Sequence, residues 1–175
     1  MSQDSSAKKF FGKYRGTVFN VLDPQQIGRI QVVVPDVLGL APSSWAMPCF
    51  PVTGKQYGIM ALPQVGTGVW VEFEQGDPDF PIWSGCWFGV VGEPPAAALL
   101  VPPTVPGIVM QTSLQNTLMI SDVPGPTGGI LIKTLAGAII SINDTLGISI
   151  SNGKGASILM QGPSVIINAG ALVIT

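Results

Sequence analysis

Histidine is absent from all 175 residues, which removes the Ser-His-Asp and Cys-His nucleophile arrangements and any His-ligated zinc site. Cysteine is almost absent: Cys49 and Cys86 lie far apart with no CxxC, so neither a thiolate metal site nor a redox pair is indicated. Both fall in predicted strands, and in a reducing compartment two buried thiols are the expectation. Charge is scarce as well, at 10% of residues with a net charge of -2. Only eight Lys and Arg are present, too few for the basic groove that a nucleic-acid-binding barrel needs to neutralise phosphates. No run of about 18 apolar residues exists to cross a bilayer as a helix. The N-terminal MSQDSSAKK lacks the apolar core of a signal peptide, so cytoplasmic synthesis and assembly are expected.

What charge there is clusters. Lys8, Lys9, Lys13 and Arg15 stand within the first fifteen residues and read as a solvated N-terminal arm, or as a docking arm, with the arm itself set at 1–13 and Arg15 just beyond it. The one acidic group dense enough for carboxylate-dependent hydrolysis is Glu72, Glu74, Asp77 and Asp79. Alternation puts Glu72 and Glu74 on the solvent side of one strand, and Asp77 and Asp79 belong to a turn. The expectation is therefore no catalytic residue, no metal and no cofactor, with a hydrolase or a nucleic-acid-binding barrel as the alternatives.

The most ordered stretch is 62–87. Val65-Gly66-Thr67-Gly68 reads as a turn with two glycines supplying positive φ. Val69, Val71 and Phe73 then alternate with Trp70, Glu72 and Glu74, the pattern of a half-buried strand. Gln75-Gly76-Asp77-Pro78-Asp79 breaks it with a turn in which the Asp side chain bonds its own backbone. An extended segment resumes at Phe80. Further strands are expected over 14–21, 29–34, 45–49, 58–62 continuing into 69–74, and 81–88, a spacing that suggests a small barrel or sandwich over 14–92. Trp45, Trp70, Trp83 and Trp87 are candidates for base stacking, yet with so few cations they are expected in a core or an interface.

Residues 93–107 hold Pro94, Pro95, Pro102, Pro103 and Pro106, and read as a semi-rigid extended linker. Beyond it, over 108–175, charge thins further and a short repeat appears. Apolar pairs at i and i+2 recur as Leu118/Ile120, Ile130/Ile132, Ile140/Ile142, Ile148/Ile150, Ile158/Met160, Val165/Ile167 and Leu172/Ile174, with Gly and Asn turns between. A unit of one strand and one turn is the mark of a β-helix or β-prism. One chain with so few residues per rung cannot surround its own apolar rows. Three chains can, each contributing one wall and pairing its edges with its neighbours. Ile130, Ile132, Ile140, Ile142, Ile148, Ile150, Ile158, Met160 and Ile167 are the expected trimer core, and Lys154 is read as solvent-facing. An antiparallel sandwich of short strands is the alternative. Seven rungs at ~4.8 Å would make a needle of roughly 35 Å.

Read in order, the chain gives Tyr14-x-Gly16-x-Val18, Asp23-Pro24, Gly28-Arg29-Ile30-Gln31-Val32, Val34-Pro35, Trp45-Ala46, Pro48, Pro51 and Tyr57-Gly58. Leu62-Pro63, Val65-Gly66, Val69, Val71, Phe73-Glu74, Gly76-Asp77-Pro78, Pro81 and Gly85 follow. This wording resembles the OB-fold domain shared by phage baseplate assembly protein V, the cell-puncturing spike of contractile tails and VgrG of type VI secretion, with Thr67 where Asp is usual. The resemblance implies an all-β protein: an N-terminal OB-fold barrel followed by a C-terminal trimeric triple-stranded β-helix, the spike. The strict octapeptide of the best-known spikes is absent, and a proline-rich linker stands where some spikes carry a lysozyme. Also implied are a homotrimer, a separate hub protein, transient contact with a target membrane and a PAAR-type tip protein docking on Leu172 and Ile174. No nucleic acid is expected. The expected setting is a virion tail baseplate or a phage-like injection particle.

Overall fold

The computed structural model describes residues 8–174, which divide into two compact units between Gly89 and Val90.

The first unit is a barrel. Its strands are β1 (Tyr14–Asn20), β2 (Gln31–Val33), β3 (Met47–Pro48), β6 (Gly68–Phe73) and β7 (Pro81–Trp87), in the order β2-β1-β6-β7-β3. All pairings are antiparallel except β3 with β7. Closure comes from the segments flanking β2 and β3: Ile30 bridges Ala46, Val33 bridges Pro42, and Ser43 N–H donates to the Val32 carbonyl at 2.8 Å. Joining first strand to last leaves no long sheet edge unpaired. Inside lie Val18, Ile30, Val32, Val34, Ala46, Val69, Val71, Phe73 and Trp83, so the alternation of 69–73 points inward as expected. A one-turn helix, α1 (Pro35–Leu38), starts on the proline that ends the β2 segment.

Several local expectations change. Residues 59–62 are not a strand. The preceding residues instead fold into a two-stranded flap, β4 (Thr53–Gly54) with β5 (Tyr57–Gly58). Of the two turn glycines, only Gly66 has positive φ; Gly68 is needed for space, because a Cβ there would stand 2.6 Å from the Trp87 ring. The Asp77 turn forms as read, with Asp79 N–H donating to Asp77 Oδ1 at 3.1 Å. Cys49 and Cys86 are free and exposed rather than buried.

The second unit begins with the proline-rich segment, which is not an extended connector. Ala96–Leu100 is a 3-10 turn held between Pro95 and Pro102, and its Ala97 N–H donates to Gln111 Oε1 at 3.3 Å. Proline excludes a long helix but suits the start of a single turn. After it come eight strands in chain order: β8 (Gly107–Gln111), β9 (Thr117–Ser121), β10 (Gly129–Lys133), β11 (Ile139–Asn143), β12 (Gly147–Ser151), β13 (Ser157–Gln161), β14 (Ser164–Ile167) and β15 (Leu172–Ile174). Each pairs antiparallel with the next in one sheet. Strand edges that the sequence assigned to neighbouring chains are thus paired within the chain, because the connecting turns are short enough to close hairpins. The ladder spans about 34 Å at ~4.8 Å per step.

Candidate assembly surfaces

The register aligns the apolar pairs into two unbroken rows on one face. One row runs Ile108, Ile120, Ile130, Ile142, Ile148, Met160, Val165, Ile174. The other runs Met110, Leu118, Ile132, Ile140, Ile150, Ile158, Ile167, Leu172. No polar side chain interrupts either row. Within the single chain this face is open: Ile132, Ile140, Ile142 and Ile150 are 41–46% exposed. Every expected trimer-core residue falls in these rows. The pair Ile108/Met110 opens both rows on β8, one strand before the first repeat read from the sequence. Leu172 and Ile174, expected at the tip, continue the same rows on the last described strand and are exposed.

The ladder's backbone groups are satisfied at its turns by one repeated device. Thr112 Oγ1, Thr134 Oγ1 and Asn152 Oδ1 each accept the N–H of the residue four further on, at 3.1–3.2 Å. Such a side chain substitutes for the pairing that the strand loses at its end. Two of these turns touch, and a Cβ on Gly153 would lie 2.6 Å from the Gly137 carbonyl carbon. On the opposite edge, buried Asn143 donates to the carbonyls of Gly125 and Gly128, both at 2.8 Å, and its Oδ1 accepts from Thr145 and Leu146.

On the barrel, the candidates for chemistry are already committed to structure. Lys13 Nζ lies 2.9 Å from Glu72 and donates to Ser84 Oγ at 2.8 Å; Lys9 lies 3.8 Å from Asp77. Phe10 N–H donates to the Gly76 carbonyl and its ring packs near Tyr14 and Phe73. The described part of the arm, 8–13, is therefore tied to the β6–β7 hairpin at Lys9, Phe10 and Lys13 while most of it stays exposed; residues 1–7 lie outside the described set. Among the tryptophans, Trp83 is in the core with its Nε1 donating to the Gly28 carbonyl. Arg15 lies over Trp70 and Trp87, and Arg29 over Trp45. Stacking on a guanidinium leaves those rings poorly placed to take a row of bases. Among the described residues no group of three or more His, Cys, Asp or Glu is positioned to hold a metal ion.

A closed barrel followed by a ladder with one bare apolar face is the build of a protein that assembles with copies of itself. The comparisons give its kind. Residues 14–88 match the type VI secretion system/phage-baseplate injector OB domain, and residues 107–173 match the phage baseplate V C-terminal trimerisation domain. The chain belongs to the phage baseplate V and VgrG family, with an N-terminal OB-fold barrel and a C-terminal trimerisation domain. Among curated relatives, the type VI secretion system spike protein VgrG5 of Pseudomonas aeruginosa is 42% identical over 67 residues, 36% of this chain and 8% of that protein. The actin cross-linking toxin VgrG1 of Vibrio cholerae serotype O1 is 48% identical over 42 residues, 24% of this chain and 4% of that protein. This chain spans under a tenth of either relative's length.

Proposed function

We propose that three copies of this chain form the central spike of a contractile injection apparatus, a phage tail baseplate or a phage-derived particle, with a mechanical rather than enzymatic role. The observation that carries it is the pair of apolar rows. Sixteen side chains line one sheet face, and eleven of them are exposed within the single chain. Three such walls facing a common axis would bury them all, each isoleucine contributing on the order of 1–2 kcal/mol. The ladder then carries axial load through its backbone hydrogen bonds, seven strand pairings deep per chain. Thrust from sheath contraction would pass along it into the target envelope.

A separate hub protein above the barrels and a small PAAR-type protein at the far end complete this reading. The latter is supported by the edge of β15, which among the described strands pairs with β14 alone, beside Leu172 and Ile174 at the end of the apolar rows. Assembly would take place in the cytoplasm, and contact with the target membrane would be transient. The test is the mass of the purified full chain by light scattering. A trimer resistant to heat and detergent is expected, because three walls that share one apolar core come apart slowly. A stable monomer would contradict the spike.

A further inference from the structure

The ladder carries four charged residues over 107–174: Asp122, Lys133, Asp144 and Lys154. Their placement is one-sided. Turns after β8, β10, β12 and β14 form one edge of the wall, and those after β9, β11 and β13 the other. Lys133 ends β10 at the first edge, and Lys154 sits in the turn after β12 on that same edge. Asp122 and Asp144 open turns on the second edge. All four side chains are exposed, and among the described residues none of them is in an ion pair within its own chain. They cannot reach one another. Lys133 is in register with Ile139, while Asp144 follows Asn143 at the other end of β11, about 14 Å or more away at ~3.4 Å per residue.

The aspartate edge is concave. Asp122 and Asp144 line one cleft of about 370 Å³ together with Ile120, Ile130, Asn143 and Thr145. Along the ladder, Asp122 lies between the second and third strands and Asp144 between the fourth and fifth. Lys133, on the third strand, falls between those two levels; Lys154, between the fifth and sixth, lies about one step of ~4.8 Å beyond Asp144.

We infer that the two edges are complementary halves of one interface. The lysine edge of each chain lies against the aspartate edge of the next, with Lys133 entering the cleft between Asp122 and Asp144 and Lys154 closing on Asp144 of that second copy. This rests on the trimer reading above. Identical walls around a threefold axis meet edge one to edge two, a heterologous contact that closes. A pure rotation introduces no axial shift, so the levels counted within one chain are the levels that meet, within reach of the lysine stems. The opposite arrangement, like edge against like edge, would bring carboxylate to carboxylate. Exposed ion pairs add little stability, but they decide which surfaces meet and in which register.

Zero-length carbodiimide coupling of the intact full chain tests this, since it joins an amine to a carboxylate only in contact. The expected result is a covalent species of trimer mass whose peptides link Lys133 to Asp122 or Asp144, and Lys154 to Asp144. The double variant Lys133→Gln with Lys154→Gln should keep the trimer by light scattering and lose the cross-links at least tenfold. Exchanging all four charges (Lys133→Asp, Lys154→Asp, Asp122→Lys, Asp144→Lys) should restore them. A trimer that yields none of these cross-links overturns the edge pairing and leaves the trimer reading intact. A monomer by mass overturns both.

Discussion

Asp23 and Arg29 close the loop between β1 and β2 on itself: the Asp23 carboxylate lies 2.7 Å from Arg29 Nη2 with only 4% of its side chain exposed. Five donors converge on it, the Arg29 Nε and Nη2 and the backbone N–H groups of Gln25, Ile27 and Arg29. Arg29, then those N–H groups, hold the carboxyl well below the usual carboxylate range against the opposing push of burial. A lowered folded-state value means that the stabilisation is fully present above the unfolded carboxyl's ~3.9 and is lost as pH falls towards the folded value. Asp23→Ala should strand the guanidinium and three N–H groups, lowering the barrel's melting temperature by on the order of 10 °C at pH 7. The difference between variant and native chain should shrink in melts below about pH 4. A gap unchanged by acid would remove the carboxylate from this role.

Gly68 and Trp87 face each other across β6 and β7, and a Cβ on Gly68 would lie 2.6 Å from the indole. Gly68→Val should therefore displace the ring that Arg15 covers. We expect a loss of roughly 1–3 kcal/mol, the usual range for forcing extra methyl groups into a packed site, with red-shifted tryptophan emission. Unchanged emission and stability would show that the ring moves freely.

Much of this architecture is written in the chain at the level of period. Val69, Val71 and Phe73 declare the inner face of β6, and the i, i+2 isoleucines declare the ladder, because side chains alternate strictly along a strand. Closure is not written there. The Ile30–Ala46 bridge joins residues whose local sequence says nothing of each other. Cys86 escaped the alternation because the register shifts between Val69 and Val71 on its partner strand. Lys9 and Lys13 looked like a solvated arm because their acidic partners, Asp77 and Glu72, lie some sixty residues downstream. The charge division between the ladder's two edges became visible only once turn polarity was known, since it depends on which way each hairpin closes.

Asn143 stitches two turns with four hydrogen bonds while buried at 5% exposure. Asn143→Ala leaves the Gly125 and Gly128 carbonyls and two N–H groups short of a partner, and should cost about 2–3 kcal/mol. Asn143→Asp keeps the two acceptor bonds and loses the donors, so it should fall between native chain and Ala. Hydrogen exchange at Thr145 and Leu146 should rise in Ala and stay near native in Asp; equal protection in both variants would deny the side chain its capping role.

Ile140 and Ile150 stand directly opposite each other on β11 and β12, one in each strand of the same exposed row. If three walls enclose these rows, Ile140→Asp places three carboxylates around one axis in apolar surroundings, where they must either take up protons or force the rungs apart. The expected loss exceeds about 4 kcal/mol per chain, a range reserved for buried unpaired charge and similar faults. Ile150→Asp should behave alike, and both should recover partly as pH falls and the carboxylates protonate. Lys154→Asp, on an exposed turn outside the rows, should change thermal stability by no more than about 1 kcal/mol, even though it alters an edge charge. Melting curves with light scattering on the three variants decide the matter. Equal behaviour of all three would mean that the isoleucine face does not point to a shared core, whereas selective loss of the trimer in the two isoleucine variants places the axis on their side of the sheet.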